Sequence, residues 1–147
     1  MGHTYICNRI HVVFSTEGRK PLINDDIQPR LWAYMAGVAR NLELTVHALN
    51  GIEDHVHLLI SLPGTTGLSK SVQSIKANSS RWMRQNGLAK FTWQEGFGAF
   101  SVSESNMAVT MRYIVRQKEH HKKFSSEHEF RELLKRHKMT IDPKFGL

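Results

Sequence analysis

The chain has 147 residues, 40% of them hydrophobic and 22% charged, with 10 Gly and 4 Pro. That is the makeup of one globular domain, and it excludes disordered, collagen-like and low-complexity chains. Apolar runs such as Leu58-Leu59-Ile60 fall far short of the roughly 20 residues of a membrane helix, so no membrane association is expected. A secretory leader is not legible, and the single Cys7 cannot form an internal disulfide, so a cytoplasmic protein is expected. Twenty Lys and Arg against 13 Asp and Glu leave a net charge of +7, which suits a polyanionic partner or simply a solvated basic surface.

The elements follow in chain order. Tyr5 to Ser15 alternates as a strand, with Ile6, Ile10, Val12 and Phe14 on one face and Cys7, Arg9, His11 and Val13 on the other. Asn24 or Asp25 can cap a helix with Pro29 in its first turn and Ile27, Leu31, Met35, Val38 and Leu42 at helical spacing. Thr45 to Leu49 and His55 to Leu62 form a hairpin around the connection Asn50 to Asp54. Leu68, Val72, Ile75 and Trp82 make the apolar stripe of a second helix that stops near Asn86-Gly87. Ala99 to Ser103 is a fourth strand. Helices from Asn106 to Lys122 and from Glu127 to Lys138 follow, the last opened by a capping box at Ser126-Glu127-His128-Glu129. The order βαββαβ predicts an α+β fold, a ferredoxin-like antiparallel sheet with both early helices on one face, and one domain over 1–147. The two C-terminal helices can cover or extend the open face.

Two groups of residues carry chemistry. On the third strand His55 and His57 point the same way, while Val56, Leu58 and Ile60 point to the core. Such a pair can bind one divalent cation, or can be two structural histidines. Tyr113 and Gln117 are four residues apart on a helix and share a face, offering a nucleophilic phenol and a neutral oxygen ligand of the kind Mg²⁺ accepts. Either can equally be an ordinary helix residue. The acid-free segment Ser61 to Gln94 carries Lys70, Lys76, Arg81 and Arg84 along its helix, and scattered cations of this sort neutralise phosphates without reading sequence. Arg116, beside Gln117, is a further candidate for DNA contact. Trp82 and Trp93 can stack on bases or belong to the core. His120-His121 can contact phosphate or close a solvated helix end. Asp54 and His11 are candidates to activate the phenol, or a turn residue and a pocket-lining residue.

Taken together, Asp54-His55-Val56-His57-Leu58-Leu59, the basic helix, the segment Trp93 to Ser103 and Tyr113-Ile114-Val115-Arg116-Gln117-Lys118 resemble the single-tyrosine HUH transposases of the insertion-sequence 200/605 type, the IS200-like enzymes. The resemblance covers about Tyr5 to Lys138. It implies that His55, His57 and Gln117 hold one Mg²⁺ or Mn²⁺ and that Tyr113 attacks DNA, leaving a 5′-phosphotyrosine and a free 3′-OH. It also implies a ferredoxin-like fold, single-stranded DNA hairpins as substrate, and a homodimer with active sites shared between subunits. The chain lacks the long C-terminal extension and the Asn-Pro motif of the relatives tied to repetitive extragenic palindromes, so the insertion-sequence type is expected. Two rival readings are a domesticated, non-catalytic hairpin-DNA-binding protein and a metal-dependent phosphodiesterase that uses water in place of Tyr113.

Overall fold

The computed structural model describes residues 2–140, so the domain expected over 1–147 extends past the described residues at both ends. Strand β1 (Arg9–Ser15) runs to a 14-residue helix α1 (Gln28–Asn41), followed by the hairpin β2 (Thr45–Ile52) and β3 (His55–Ser61). Helix α2 (Leu68–Gln85), strand β4 (Gly98–Ser101), and helices α3 (Met107–Val115), α4 (Gln117–His120) and α5 (Ser126–Arg136) complete the order. All pairings are antiparallel and the strands lie in the order β2-β3-β1-β4, the split βαβ arrangement the element order predicts.

One face of the sheet, through Val12, Phe14, Val56, Leu58 and Ile60, packs on Leu31 and Met35 of α1 and on Val72, Ile75 and Met83 of α2. Phe91 and Trp93, on the long link to β4, complete this core, and the Trp93 indole donates to the Ser79 hydroxyl at 2.9 Å. The C-terminal helices take the other face. Leu59 receives Met107 and Ile114 of α3, while Val13 and Phe100 receive Leu133 and Leu134 of α5. The sheet is thus a middle layer, and its odd-numbered side chains on β1 and β3 face a second, smaller core that contains polar groups.

Several element bounds differ from the expected ones. Strand β1 begins at Arg9, not Tyr5, because its partner β3 ends at Ser61, opposite Arg9, and Pro63 has no N–H to continue the ladder. Tyr5 and Ile6 are accordingly exposed. The hairpin is tighter than expected: Asn50, Gly51 and Ile52 belong to β2, Ile52 pairs with His55, and the turn is Glu53-Asp54 alone. Gly51 is needed there, since a Cβ would sit 2.2 Å from the His55 carbonyl oxygen. Strand β4 stops at Ser101 rather than Ser103. The helix expected over 106–122 breaks at Arg116, whose φ of −96° and ψ of 26° separate α3 from α4. The cap of α5 is Ser125, whose hydroxyl accepts from the His128 N–H at 3.1 Å. Ser126 and Glu129 are freed from the expected capping box for other partners.

Candidate functional site

The register of β1 on β3 sets Ser15 opposite His55, Val13 opposite His57 and His11 opposite Leu59, all on the face covered by α3 to α5. His55 is 2% exposed and His57 is fully enclosed, so neither is the solvated histidine that a chance His-x-His would give. Their ring centroids are 5.0 Å apart. The break at Arg116 turns Gln117 inward, where it is buried and its Oε1 lies 3.1 Å from His55 Nε2 and 3.1 Å from His121 Nε2. Tyr113, one turn earlier, lays its ring edge-on to His57 at 5.6 Å. Expected from two separate motifs, Tyr113, His55, His57 and Gln117 meet within one chain.

Glu129 of α5 sits at their centre. Its Oε1 is 2.7 Å from His57 Nε2 and 3.1 Å from His55 Nε2. Its Oε2 lies 3.1 Å from His120 and 3.2 Å from His121, and it accepts a hydrogen bond from the Tyr113 hydroxyl. His121 joins the two strand histidines and Glu129 in a group whose ligand atoms all lie within 4.8 Å of one another. Three imidazoles and a carboxylate, with the Gln117 oxygen beside them, form a donor set that suits a divalent transition ion.

Each strand histidine has a partner behind it at Nδ1. Asp54 Oδ1 lies 2.7 Å from His55 Nδ1 and is itself held by the Ser126 hydroxyl at 2.9 Å. His11 Nε2 lies 2.8 Å from His57 Nδ1. Burial, reinforced by the charge of His57, lowers the His11 pKa to about 3, so its neutral ring can donate to His57 Nδ1 while His57 Nε2–H donates to Glu129, or accept from Nδ1–H when Nε2 is given to a metal. Each strand histidine thus has a partner at Nδ1 and directs Nε2 at Glu129, an arrangement in which a deprotonated Nε2 is free for a metal, as in ligating imidazoles generally. His57 itself is lowered to about 4 by burial, against the pull of Glu129. Burial also acts on His55, but hydrogen bonds to Asp54 and Glu129 and their charges outweigh it and raise that pKa to about 9. Burial would raise Glu129 too, yet hydrogen bonds from His121, His55 and His57 hold its carboxyl well below the usual range. The Tyr113 phenol is pushed up, by burial first and then by the Glu129 charge and hydrogen bond.

The other candidates fall elsewhere. Lys76 Nζ donates to the carbonyls of Gln94 and Gly96 at 2.6 and 2.7 Å, and Arg84 donates to the Phe91 carbonyl at 3.1 Å. Both tie α2 to the link before β4. Lys70, Arg81 and Arg116 are exposed. Trp93 is core, while Trp82 is half-buried and stacks on Tyr34 with centroids 5.4 Å apart. Asp54 and His11 contact His55 and His57 from behind and make no hydrogen bond to the phenol hydroxyl, though the His11 ring lies edge-on to Tyr113 with centroids 6.1 Å apart. Glu129 was expected in a capping box and His121 as a phosphate contact or a solvated helix end, so neither was expected beside the strand histidines. An acid in register with Leu133, on the apolar stripe of an amphipathic helix, was the available signal for Glu129.

A cavity of about 240 Å³ opens beside this group, walled by Phe97, Phe130 and Leu134 and reaching His55 and Glu129. Among the described residues no helix is long and apolar enough to cross a membrane. No curated protein matches the chain. Among solved structures it is similar to a chain from Deinococcus radiodurans R1 described as a candidate transposase, at 23% identity and a TM-score of 0.64, covering 80% of this chain and 96% of that one. It is also similar to a REP-associated tyrosine transposase solved with a REP hairpin, at 17% identity and a TM-score of 0.57, covering 79% and 72%. At these identities the likeness establishes the fold. The sequence profile of the family described as "Transposase IS200 like" matches residues 5–117, most of the chain and all four residues Tyr113, His55, His57 and Gln117. The chain therefore belongs to the IS200-like transposase family.

Proposed function

We propose that this transposase cleaves and rejoins single-stranded DNA at hairpin-bearing ends through a 5′-phosphotyrosine on Tyr113. The observation that carries this reading is the convergence of the Tyr113 phenol with His55, His57 and Gln117 in one buried site of an IS200-like chain. His55, His57 and Gln117 would hold a divalent ion, Mg²⁺ or Mn²⁺, which when bound neutralises a non-bridging phosphate oxygen and eases departure of the 3′-oxygen. The Tyr113 oxygen forms the bond to phosphorus, the bond from phosphorus to O3′ breaks, and O3′ takes up a proton. Glu129 holds the Tyr113 hydroxyl by a hydrogen bond, and the phenol proton passes to solvent because a carboxyl kept well below its usual range does not retain it. Because the phosphotyrosine retains the energy of the phosphodiester, attack by another 3′-OH joins strands without an external energy source.

Hairpin DNA as substrate rests on the REP-associated relative, whose structure holds a REP hairpin, and on the basic surface of this chain. Lys70 and Arg81 on α2 and Arg116 at the end of α3 are proposed as phosphate contacts, with Lys76 and Arg84 holding α2 to the link before β4. A homodimer is proposed from the outer face of α3, where Val109 and Val115 are 56% and 67% exposed. Shared active sites would need α3 to leave its seat on β2 and β3, where the Asn50 amide donates to the Ile114 and Val115 carbonyls. The test is to incubate 3′-labelled hairpin oligonucleotides with the protein and Mn²⁺. The expected products are one fragment with a free 3′-OH and one whose 5′ end is blocked by protein. A free 5′-phosphate would favour the water-using phosphodiesterase, and intact DNA the non-catalytic binding protein.

A further inference from the structure

The profile match ends at Gln117, yet two of the closest-packed members of the site, His121 and Glu129, lie beyond it. Glu129 is 4% exposed and is contributed by a helix anchored on the sheet through Leu133 and Leu134. A carboxylate is driven out of water in this way at substantial cost unless cationic or hydrogen-bonding partners compensate. Here its two oxygens have separate duties. Oε1 faces the Nε2 atoms of His55 and His57, the two nitrogens that their Asp54 and His11 partners leave to a metal. Oε2 receives the Tyr113 hydroxyl and lies beside His121.

We infer that Glu129 and His121 are metal ligands of this chain in addition to His55, His57 and Gln117, with Glu129 binding the ion through Oε1 and orienting the Tyr113 phenol through Oε2. This deepens the proposed function and rests on it. Two consequences distinguish the fuller set from a His-His-Gln site. A third imidazole shifts preference toward ions that favour nitrogen, so Mn²⁺, Co²⁺ and Zn²⁺ bind more tightly than Mg²⁺. One carboxylate bridging ion and phenol also couples metal binding to the position of Tyr113, so the tyrosine environment changes when the ion enters.

The test is binding of the metal alone to the DNA-free full chain, read by calorimetry with Mn²⁺ and Mg²⁺ and by the visible absorption of bound Co²⁺. Glu129→Gln and His121→Ala should each weaken Mn²⁺ binding by at least about tenfold, since even residues that only orient ligands are worth 10–100-fold. Each should also alter the Co²⁺ spectrum, and His121→Ala should narrow the gap between Mn²⁺ and Mg²⁺. Glu127→Gln, on the exposed side of α5 where Glu127 pairs with Arg131, serves as the control. Circular dichroism confirms that each variant is folded, and the isosteric Gln keeps the shape of the site if Ala does not. Unchanged Mn²⁺ affinity and Co²⁺ spectrum in both Glu129→Gln and His121→Ala, with loss of binding in His55→Ala/His57→Ala, overturns the inference and leaves the proposed function standing. Retention of binding in the double histidine variant overturns both.

Discussion

At the scale of single residues, the site depends on which nitrogen of each histidine carries a proton. Asp54 and His11 sit behind them at Nδ1, and neither hydrogen-bonds the phenol hydroxyl they were candidates to activate, although the His11 ring packs edge-on to Tyr113. Asp54→Asn and His11→Ala should therefore lower Mn²⁺ affinity by about 10–100-fold while leaving the fold intact, as a titration of the purified variants can measure. The His55 pKa of about 9 gives the pH dependence its sign. Below that value the free site carries a proton on His55 that a metal must displace, so Mn²⁺ affinity should climb with pH through neutrality and level off as His55 deprotonates. The motifs His55-Val56-His57 and Tyr113 to Gln117 were legible in the sequence because strand and helix periodicity fix which side chains share a face. Glu129 was not, because what makes it a site residue is the seat of α5 on Val13 and Phe100, a contact between segments some 30 to 120 residues apart in sequence that no local pattern encodes.

At the scale of elements, the two helical layers serve different ends. Helices α1 and α2 close the larger core, and most of their apolar spacing was readable, although Met83 fills the core where Trp82 was expected and Ala39 joins it unannounced. Helices α3 to α5 deliver chemistry, and their boundaries were the least readable. The break at Arg116 and the cap at Ser125 arise because burying Gln117 and holding Ser126 against Asp54 outweigh a longer uninterrupted helix. The strand ends were misjudged for a simpler reason, since a strand extends only as far as its partner does. Helix α5 is held by few apolar side chains, so Leu133→Ala should remove about 2–5 kcal/mol of packing where that helix meets the sheet. Hydrogen exchange should then show α5 amides losing protection before those of β1 and β3, and Mn²⁺ affinity should fall with them. The hairpin is as exacting. Gly51→Ala would force a methyl into the His55 carbonyl and should unsettle β2 and β3 together, lowering the melting temperature by several degrees, as measured by circular dichroism.

At the scale of the whole molecule, charge and assembly decide how DNA is held. Hairpin binding should weaken with salt at a log-log slope of about 0.7 to 0.9 per phosphate neutralised, and replacing Lys70, Arg81 and Arg116 with Gln should flatten it. If α3 crosses to the partner, as the family resemblance implies, a verified mixed dimer of His57→Ala and Tyr113→Phe subunits should recover cleavage, with the adduct on the His57→Ala subunit. A mixed dimer that stays inactive would mean that the site closes within one chain. In the proposed reaction the Tyr113 oxygen becomes bonded to the 5′-phosphate of the cut strand. The most direct test is mass spectrometry of the protein after denaturation, following incubation with Mn²⁺ and a single-stranded hairpin end. A peptide spanning Tyr113 that carries a 5′-linked oligonucleotide is expected, and it should be absent in Tyr113→Phe even though that variant still binds the hairpin. An adduct that persists in Tyr113→Phe, or cleavage by the wild type without any adduct, would contradict this reaction.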